Sequence, residues 1–322
     1  MGALGKFKNQ IGSMIETRVR RVFQMAGRHN SPPDDPFLKL QWMIKYESGL
    51  IKDLILRGDT PGHEWERMGY SVYSQFDEDG LIQYLISKVN VKRDHFVEIG
   101  IEDYRQSNTR YLLEKSNWTG TIMDCAEGAT TFLDTLDLRT SHTVDFVQTL
   151  VTVDNINSLL AKEGDIGLFS LDIDSMDYFV FEKLEARPTI IILEYMATYG
   201  PEADVSVPFM DNFDRFKHHY SGLCVGASLT AMTRLATEMG YSLVGCSDGH
   251  NAFYVLNEAL NGLPVVTPSE AISRCRYRDS RGPNFEFTYV SGIEERRKVM
   301  RDAVVFDFRA GKERTVAEVY GI

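Results

Sequence analysis

The chain has 322 residues, of which 43% are hydrophobic and 25% charged, and its formal net charge at pH 7 is −11. These proportions are typical of a soluble globular protein with a sizeable core, and they argue against a nucleic-acid-binding surface. The four cysteines form no CxxC pair, which argues against a zinc site and a dense disulfide framework. No apolar run has the roughly 20 residues of a spanning helix, and no secretion signal is evident. We therefore expect a cytoplasmic protein.

The first predicted element is a basic amphipathic helix at residues 4–23. Its apolar residues, among them Leu4, Phe7, Ile11 and Met14, recur at steps of three and four. Such a helix suits contact with an anionic membrane surface, self-association into a homo-oligomer, or packing on its own domain. The prolines that follow end it, and a second helix is predicted at 37–57. We expect residues 1–69 to form an N-terminal helical arm.

From residue 74 onward, apolar strands alternate with helices, which is the pattern of βαβ units in a parallel sheet. The predicted strands lie at 95–99, 119–123, 145–149, 166–172, 189–194, 241–245 and 251–256. The short link between the last two strands favours an antiparallel hairpin. The sequence thus predicts a doubly wound α/β domain at 70–260 with a seven-stranded, mostly parallel sheet. A C-terminal extension at 261–322 is expected to contain a helix at 293–302 and a strand at 303–308.

Polar residues at the ends of the first two strands form the first candidate site. Ligands of doubly wound sheets bind at the carboxyl ends of the strands, where Glu98 and Gly100 lie, and a glycine there permits close approach. Asp124 ends the second strand and is placed to accept hydrogen bonds from ribose hydroxyls. Because Gly100 is the only glycine in its turn, the dinucleotide fingerprint is absent. Together these features favour an adenosine ligand, although a polar turn and a solvated acid remain alternatives.

Acidic residues are densest after the fourth strand, at Asp172, Asp174 and Asp177. Strand alternation points Asp172 and Asp174 to the same side, and Glu194 ends the neighbouring fifth strand. Carboxylates this close repel one another unless a cation or a shared proton intervenes, so the cluster predicts a divalent metal site. The alternative is that one acid, Asp177 above all, caps the following helix.

Two further segments border this edge of the predicted sheet. Residues 74–80, with one serine and three acids, suit either a helix cap or a lid over a ligand. His250 precedes the last strand and is either a general base or a surface histidine.

Several of these residues belong to blocks that together resemble a known family. The blocks are SQFDEDG at 74–80, FVEIG at 96–100, SNTR at 107–110, NWTG at 117–120, LDID at 171–174 with Asp177-Tyr178, LEY at 193–195, GASL at 226–229 and NAFYV at 251–255. In this order they resemble the FkbM-type S-adenosylmethionine-dependent methyltransferases, in a branch associated with bacterial surface glycans.

The resemblance implies a class I methyltransferase fold and O-methylation, often of a sugar hydroxyl in a glycan or glycosylated metabolite. It also implies magnesium held by Asp174 and Glu194, with Asp172 close by, and a base at Asp177. His250 is the second candidate base. The expected cofactor-binding set comprises Gln75, Glu98, Gly100, Asn108, Asp124, Cys125 and Asp172.

The sequence departs from the family pattern along the expected rim of the site. Asp77 replaces a glycine, Ser175 and Met176 replace a glycine-containing pair, and Met196 stands where asparagine is common. A catalytically silent scaffold with this fold is therefore one alternative function. A nucleotide-binding oxidoreductase is another, since it has a similar sheet.

Overall fold

The computed structural model describes residues 36–58, 65–126, 133, 138–272 and 279–322. The predicted helix at 4–23 lies outside this part of the chain. The described helices are α1 Pro36–Gly58, α2 Trp65–Met68, α3 Glu78–Lys88, α4 Arg110–Ser116, α5 Leu138–Ser141, α6 Ile156–Leu160, α7 Asp177–Lys183, α8 Arg215–His218, α9 Leu229–Glu238, α10 Pro268–Ala271, α11 Ile293–Val299 and α12 Val316–Tyr320. None of them is both long enough and apolar enough to cross a bilayer.

The strands form a large sheet and a small one. They are β1 His95–Ile99, β2 Thr119–Asp124, β3 Val144–Gln148, β4 Leu168–Leu171, β5 Ile190–Glu194, β6 Val205–Ser206, β7 Tyr241–Cys246, β8 Asn251–Leu256, β9 Val304–Asp307 and β10 Lys312–Thr315. All seven predicted sheet strands are present and lie within two residues of the expected bounds. The predicted helix at 293–302 ends earlier, at Val299, and the strand predicted at 303–308 is β9.

The large sheet has the strand order β3-β2-β1-β4-β5-β8-β7. Its first five strands are parallel, whereas β8 pairs antiparallel with both β5 and β7. A doubly wound sheet that ends in an antiparallel hairpin is the class I methyltransferase arrangement, so the predicted fold class is confirmed. The core strands are apolar runs buried on both faces, such as Ile-Ile-Ile-Leu in β5, as expected for a sheet covered by helices on each side.

Strand register brings the ends of three strands level with one another. Ile99 of β1 pairs with Leu171 of β4, and Leu171 pairs with Leu193 of β5. The residues that follow each strand therefore lie side by side at one edge. The strand order reverses between β1 and β4, which is where doubly wound sheets open a crevice for ligands.

The small sheet has the order β10-β9-β6, and both pairings are antiparallel. Val205 of β6 pairs with Asp307 of β9, so a segment inserted between β5 and α9 is joined to the C-terminal part of the chain. Neither β6 nor β10 was predicted, because β6 has only two residues and β10, with the sequence Lys-Glu-Arg-Thr, has no apolar residue. The domain limits near residues 69 and 260 stay predictions.

Candidate active site

A cleft of about 1230 Å³ opens at the carboxyl ends of the parallel strands. Of the residues predicted to carry function, those that line it are Gln75, Glu98, Gly100, Asn108, Asp124, Cys125, Asp172, Asp174, Glu194 and His250. Asp177 does not line the cleft. The fold therefore brings nearly all the predicted site residues to one cavity, although they come from six separate parts of the chain.

Glu98, at the end of β1, anchors the loop that forms one wall of the cleft. Its buried carboxylate accepts hydrogen bonds from the Ser107 hydroxyl at 2.6 Å, the Asn108 backbone N–H at 2.7 Å and the Thr109 backbone N–H at 3.2 Å, and also from the Thr109 hydroxyl. Burial raises the pKa of Glu98, and these hydrogen bonds oppose that rise. The Asn108 side chain in turn donates to the Ser170 hydroxyl at 3.1 Å on β4. Glu98 thus shapes the cleft through residues 107–109.

Gly100 is required by the contact between two strand ends. Its φ is +84°, and a Cβ added to it would lie 1.5 Å from the backbone oxygen of Asp172. The sequence suggested that this glycine makes room for a ligand. The structure adds a different reason, because any side chain here would collide with the end of β4.

Asp124 holds the turn that follows β1. One carboxylate oxygen accepts hydrogen bonds from the backbone N–H groups of Ile101 at 2.8 Å and Glu102 at 2.7 Å. The other accepts from the N–H of Ala126 at 2.8 Å. Each carboxylate oxygen has two lone pairs, so a contact with a ribose hydroxyl remains chemically open and stays a prediction. Cys125 is exposed beside Asp124, and Gln75 is exposed at the rim.

The segment at 74–80 is locked in place. Buried Asp79 accepts hydrogen bonds from the backbone N–H groups of residues 72–74 at 2.6 to 2.8 Å and from the Ser74 hydroxyl at 2.9 Å. Burial raises the pKa of Asp79 to about 6. Glu78, also buried, accepts from the Asn251 side chain at 3.0 Å on β8. These bonds favour the structural alternative over a mobile lid.

Asp172, Asp174 and Glu194 face one another at the ends of β4 and β5. One carboxylate oxygen from each lies within 4.8 Å of the other two. Asp174 reaches the group from a left-handed backbone conformation, with φ of 61°. Burial, followed by repulsion from neighbouring carboxylates, raises the pKa of Asp172 and that of Glu194 well above their ordinary values. Three converging carboxylates are the oxygen ligands that magnesium and calcium prefer.

Asp177 closes the loop that carries Asp174. It is 1% exposed, begins α7, and accepts hydrogen bonds from the backbone N–H groups of Ile173 at 2.8 Å and Ser175 at 3.0 Å. Burial raises its pKa to about 6. A general base must come within hydrogen-bond distance of the substrate proton, and Asp177 is turned into the loop instead. The geometry favours a structural role, but not the helix cap that the sequence left open: the N-cap of α7 is Met176, no side chain caps this helix, and Asp177 binds the loop before it.

His250 lines the cleft beside the acidic group. Its backbone oxygen accepts a hydrogen bond at 2.8 Å from the N–H of Tyr195, which follows Glu194. The imidazole packs edge-on against Phe76, with ring centroids 5.3 Å apart. Burial lowers the pKa of His250, so the ring is neutral near pH 7 and retains a nitrogen that is able to accept a proton.

The wall opposite β1 and β2 was not anticipated. It is formed by residues 209–217, from the insertion between β5 and α9, and by Asp279 and Arg281 from the C-terminal part of the chain. An Arg215 side-chain nitrogen lies 3.8 Å from a carboxylate oxygen of Asp174. No local pattern marks these residues, because they are brought together by tertiary contacts, such as the one between Arg215 and Asp279. Phe209 and Met210 of this wall are exposed.

Comparisons with known proteins concern the fold. No protein-family model matches the sequence, and a search of curated proteins finds no match. Among solved structures, the chain is similar to the methyltransferase PaMTH1 of Podospora anserina bound to S-adenosylhomocysteine, with 12% identity, coverage of 74% of this chain and 94% of that one, and a TM-score of 0.37.

Two other solved structures are similar to the same extent. The magnesium protoporphyrin IX methyltransferase ChlM of Synechocystis PCC 6803 shares 12% identity over 67% of this chain and 99% of that one, with a TM-score of 0.38. An O-methyltransferase of Bacillus cereus shares 13% identity over 65% and 88%, with a TM-score of 0.34.

Proposed function

We propose that this protein is an S-adenosylmethionine-dependent O-methyltransferase that acts, with a bound divalent cation, on a sugar hydroxyl of a glycan or glycosylated metabolite. The observation that carries the proposal is a cleft at the carboxyl edge of a class I methyltransferase sheet, lined by three converging carboxylates. The FkbM-type residue blocks support it, since most of them line or buttress this cleft.

The β1 and β2 side of the cleft suits the cofactor. The turn after β1 presents backbone beside Gly100, and Asp124 adds a carboxylate at the end of β2. A carboxylate in this position is the usual partner of ribose hydroxyls in doubly wound folds. The cofactor, when bound, supplies an electrophilic methyl group on a sulfonium sulfur. Glu98 contributes by holding residues 107–109 in place, and these residues form the wall against which the cofactor would be oriented.

The β4 and β5 side suits a magnesium ion. Asp172, Asp174 and Glu194 offer only oxygen donors, and their mutual repulsion disfavours three charges without a cation. A bound divalent ion would neutralise them and lower the pKa of a nearby hydroxyl. Asp177 keeps Asp174 in place by holding the intervening loop.

The remaining requirement is a proton acceptor. With the three converging acids assigned to the metal and Asp177 to the loop, His250 is the base that we propose, since it lines the cleft and its lowered pKa keeps it neutral. The chain would contribute mainly by positioning the two reactants, which is a large part of catalysis in a displacement reaction.

Calorimetry with S-adenosylhomocysteine tests the cofactor assignment. We expect binding to the wild-type protein and a loss of about tenfold or more in affinity for Asp124→Ala, because a charged hydrogen-bond acceptor is removed. Asp145→Ala, an exposed acid in β3, is the matched control and should bind normally. Heat from NADH and none from S-adenosylhomocysteine would point instead to the oxidoreductase alternative. Cofactor binding without turnover on any sugar acceptor would favour the silent scaffold.

A further inference from the structure

The positively charged residues that line the cleft lie on one of its walls. Acids occur all around the cleft, but in the described part of the chain every lysine and arginine of the lining lies on the wall opposite β1 and β2. They are Arg215, Lys217 and Arg281. The same wall also contributes Asp211, Asp214 and Asp279, so its cations stand among acids, and what distinguishes it in a protein of net charge −11 is the presence of guanidinium groups.

The two arginines are held by shared partners. Both lie near the same carboxylate, with Arg215 3.4 Å and Arg281 3.5 Å from Asp279 oxygens. Both also face the ring of Phe216, whose centroid is 5.0 Å from the Arg215 guanidinium carbon and 5.9 Å from that of Arg281. Arg215 also lies 3.8 Å from Asp174, so a cation held by Asp174, as proposed, would leave Asp279 as the carboxylate that the two guanidinium groups share.

Stacking further restricts the Arg281 side chain. Its guanidinium carbon lies 3.4 Å from the centroid of the Phe287 ring, and its side chain is 22% exposed. The ring of Phe216 fits because residue 222 is a glycine, where an added Cβ would come within 2.6 Å of that ring. A guanidinium with a fixed plane is well suited to bind a phosphate or carboxylate, since little rotational freedom is lost on binding.

This wall lies next to the three converging carboxylates. A terminal nitrogen of Arg215 is 3.8 Å from Asp174, one of the three converging carboxylates. An anionic group bound to the arginines would therefore be within about one sugar ring of a hydroxyl held beside these carboxylates, given hydrogen bonds of roughly 2.7–2.9 Å.

We infer that the methyl acceptor is an anion, with a phosphate or carboxylate close to the methylated hydroxyl, and that Arg215 and Arg281 bind this group. The inference rests on the proposed function, because it names the substrate class of the same cleft. It makes these arginines specificity-determining residues rather than catalytic ones.

Saturation-transfer NMR and calorimetry test this with the full chain loaded with S-adenosylhomocysteine and magnesium. The probes are glucose 6-phosphate, glucuronate and neutral glucose. We expect at least one of the anionic sugars to bind about tenfold or more tighter than glucose. Whether the phosphate or the carboxylate is preferred identifies the natural anionic group.

Arg281→Gln and Arg215→Gln should each reduce that preference to within about threefold of glucose, whereas Arg281→Lys should restore part of it. Lys298→Gln, which removes an exposed positive charge that does not line the cleft, should leave it unchanged. Thermal melts of each variant check that the fold is intact. If Arg281→Gln does not fold, Arg281→Lys still tests the proposal, because lysine keeps the charge but not the planar guanidinium group.

The outcomes separate the two proposals. Normal binding of S-adenosylhomocysteine with no preference for the anionic sugars overturns this inference alone. A preference that persists in both glutamine variants overturns it as well. No binding of S-adenosylhomocysteine overturns the proposed function, and this inference with it.

Discussion

The carboxylates on the two sides of the cleft have opposite surroundings. On the β1 and β2 side, Glu98 and Asp124 accept hydrogen bonds from backbone N–H groups and shape loops. On the β4 and β5 side, Asp172 and Glu194 face each other and Asp174. Burial raises the pKa of Glu98 on one side and of Asp172 and Glu194 on the other, so burial alone does not identify a functional acid. The difference lies in whether N–H donors or other carboxylates surround the charge.

Asp177 shows how sharp this distinction is. It is separated from Asp174 by only two residues, and yet it belongs with the loop-holding acids because two backbone N–H groups donate to it. An acid whose charge is already balanced by donors gains little from a cation. An acid that is surrounded by other acids gains a great deal.

The largest expected loss of stability is at Gly100, where the end of β1 contacts the end of β4. Gly100→Ala places a Cβ against the backbone of Asp172 and also strains a backbone with φ of +84°. We expect the free energy of unfolding to fall by more than about 3 kcal/mol, measured by urea denaturation.

Gly262→Ala is the matched control for that substitution. Its φ is +81°, but nothing lies within 4 Å of an added Cβ, so it should cost only about 1–2 kcal/mol. Equal losses for the two variants would mean that the contact between the ends of β1 and β4 is not tight.

Glu98→Gln tests the loop-holding side. The substitution turns an acceptor oxygen into an NH₂ group that faces buried donors, so we expect a loss of about 2–4 kcal/mol in urea denaturation. Glu102→Gln, an exposed neighbour, should change stability by less than about 0.5 kcal/mol. A neutral Glu98→Gln would contradict the assignment of Glu98 as a structural anchor.

Glu194→Gln tests the side on which acids face each other. Because the pKa values of Asp172 and Glu194 are raised in the folded protein, folding without metal is favoured at low pH, and stability falls as pH rises from the unfolded pKa values toward the folded ones. Glu194→Gln should remove part of this decline, so that the variant gains stability relative to the wild type as pH rises above the ordinary pKa of a glutamate.

Magnesium provides the second measurement on the same variant. It should raise the melting temperature of the wild-type protein near neutral pH and leave that of Glu194→Gln unchanged. Glu185→Gln, an exposed acid after α7, is the control and should behave like the wild type in both measurements. A wild-type melting temperature that does not change when magnesium is added would argue against a metal site.

The smallest expected effect on stability is that of Asp177→Asn, at about 1–2 kcal/mol: the new NH₂ group faces one buried N–H donor, but fewer groups donate to Asp177 than to Glu98. If the residue positions Asp174, magnesium affinity measured by calorimetry should fall by about tenfold. Unchanged magnesium affinity together with a lower maximal rate on an identified acceptor would instead restore Asp177 as the base.

The sequence predicted the large sheet well because its strands are continuous apolar runs, a signal carried by neighbouring residues. The same strands end in acids, so the proximity of Asp172, Asp174 and Glu194 was predicted before any coordinates were known. The small sheet was not predicted in full, because β6 has only two residues and pairs with a strand near the end of the chain.

The sequence by itself thus determined the fold class and the edge of the sheet at which polar residues gather, since both follow from local periodicity. Only the tertiary structure decided what each polar group does there. Three features depend on strand register and loop packing. They are the collision that excludes a side chain at Gly100, the backbone N–H groups that donate to Asp177, and the wall formed by Arg215 and Arg281. These contacts join residues that are distant along the chain or depend on the exact course of a loop, so no local pattern records them.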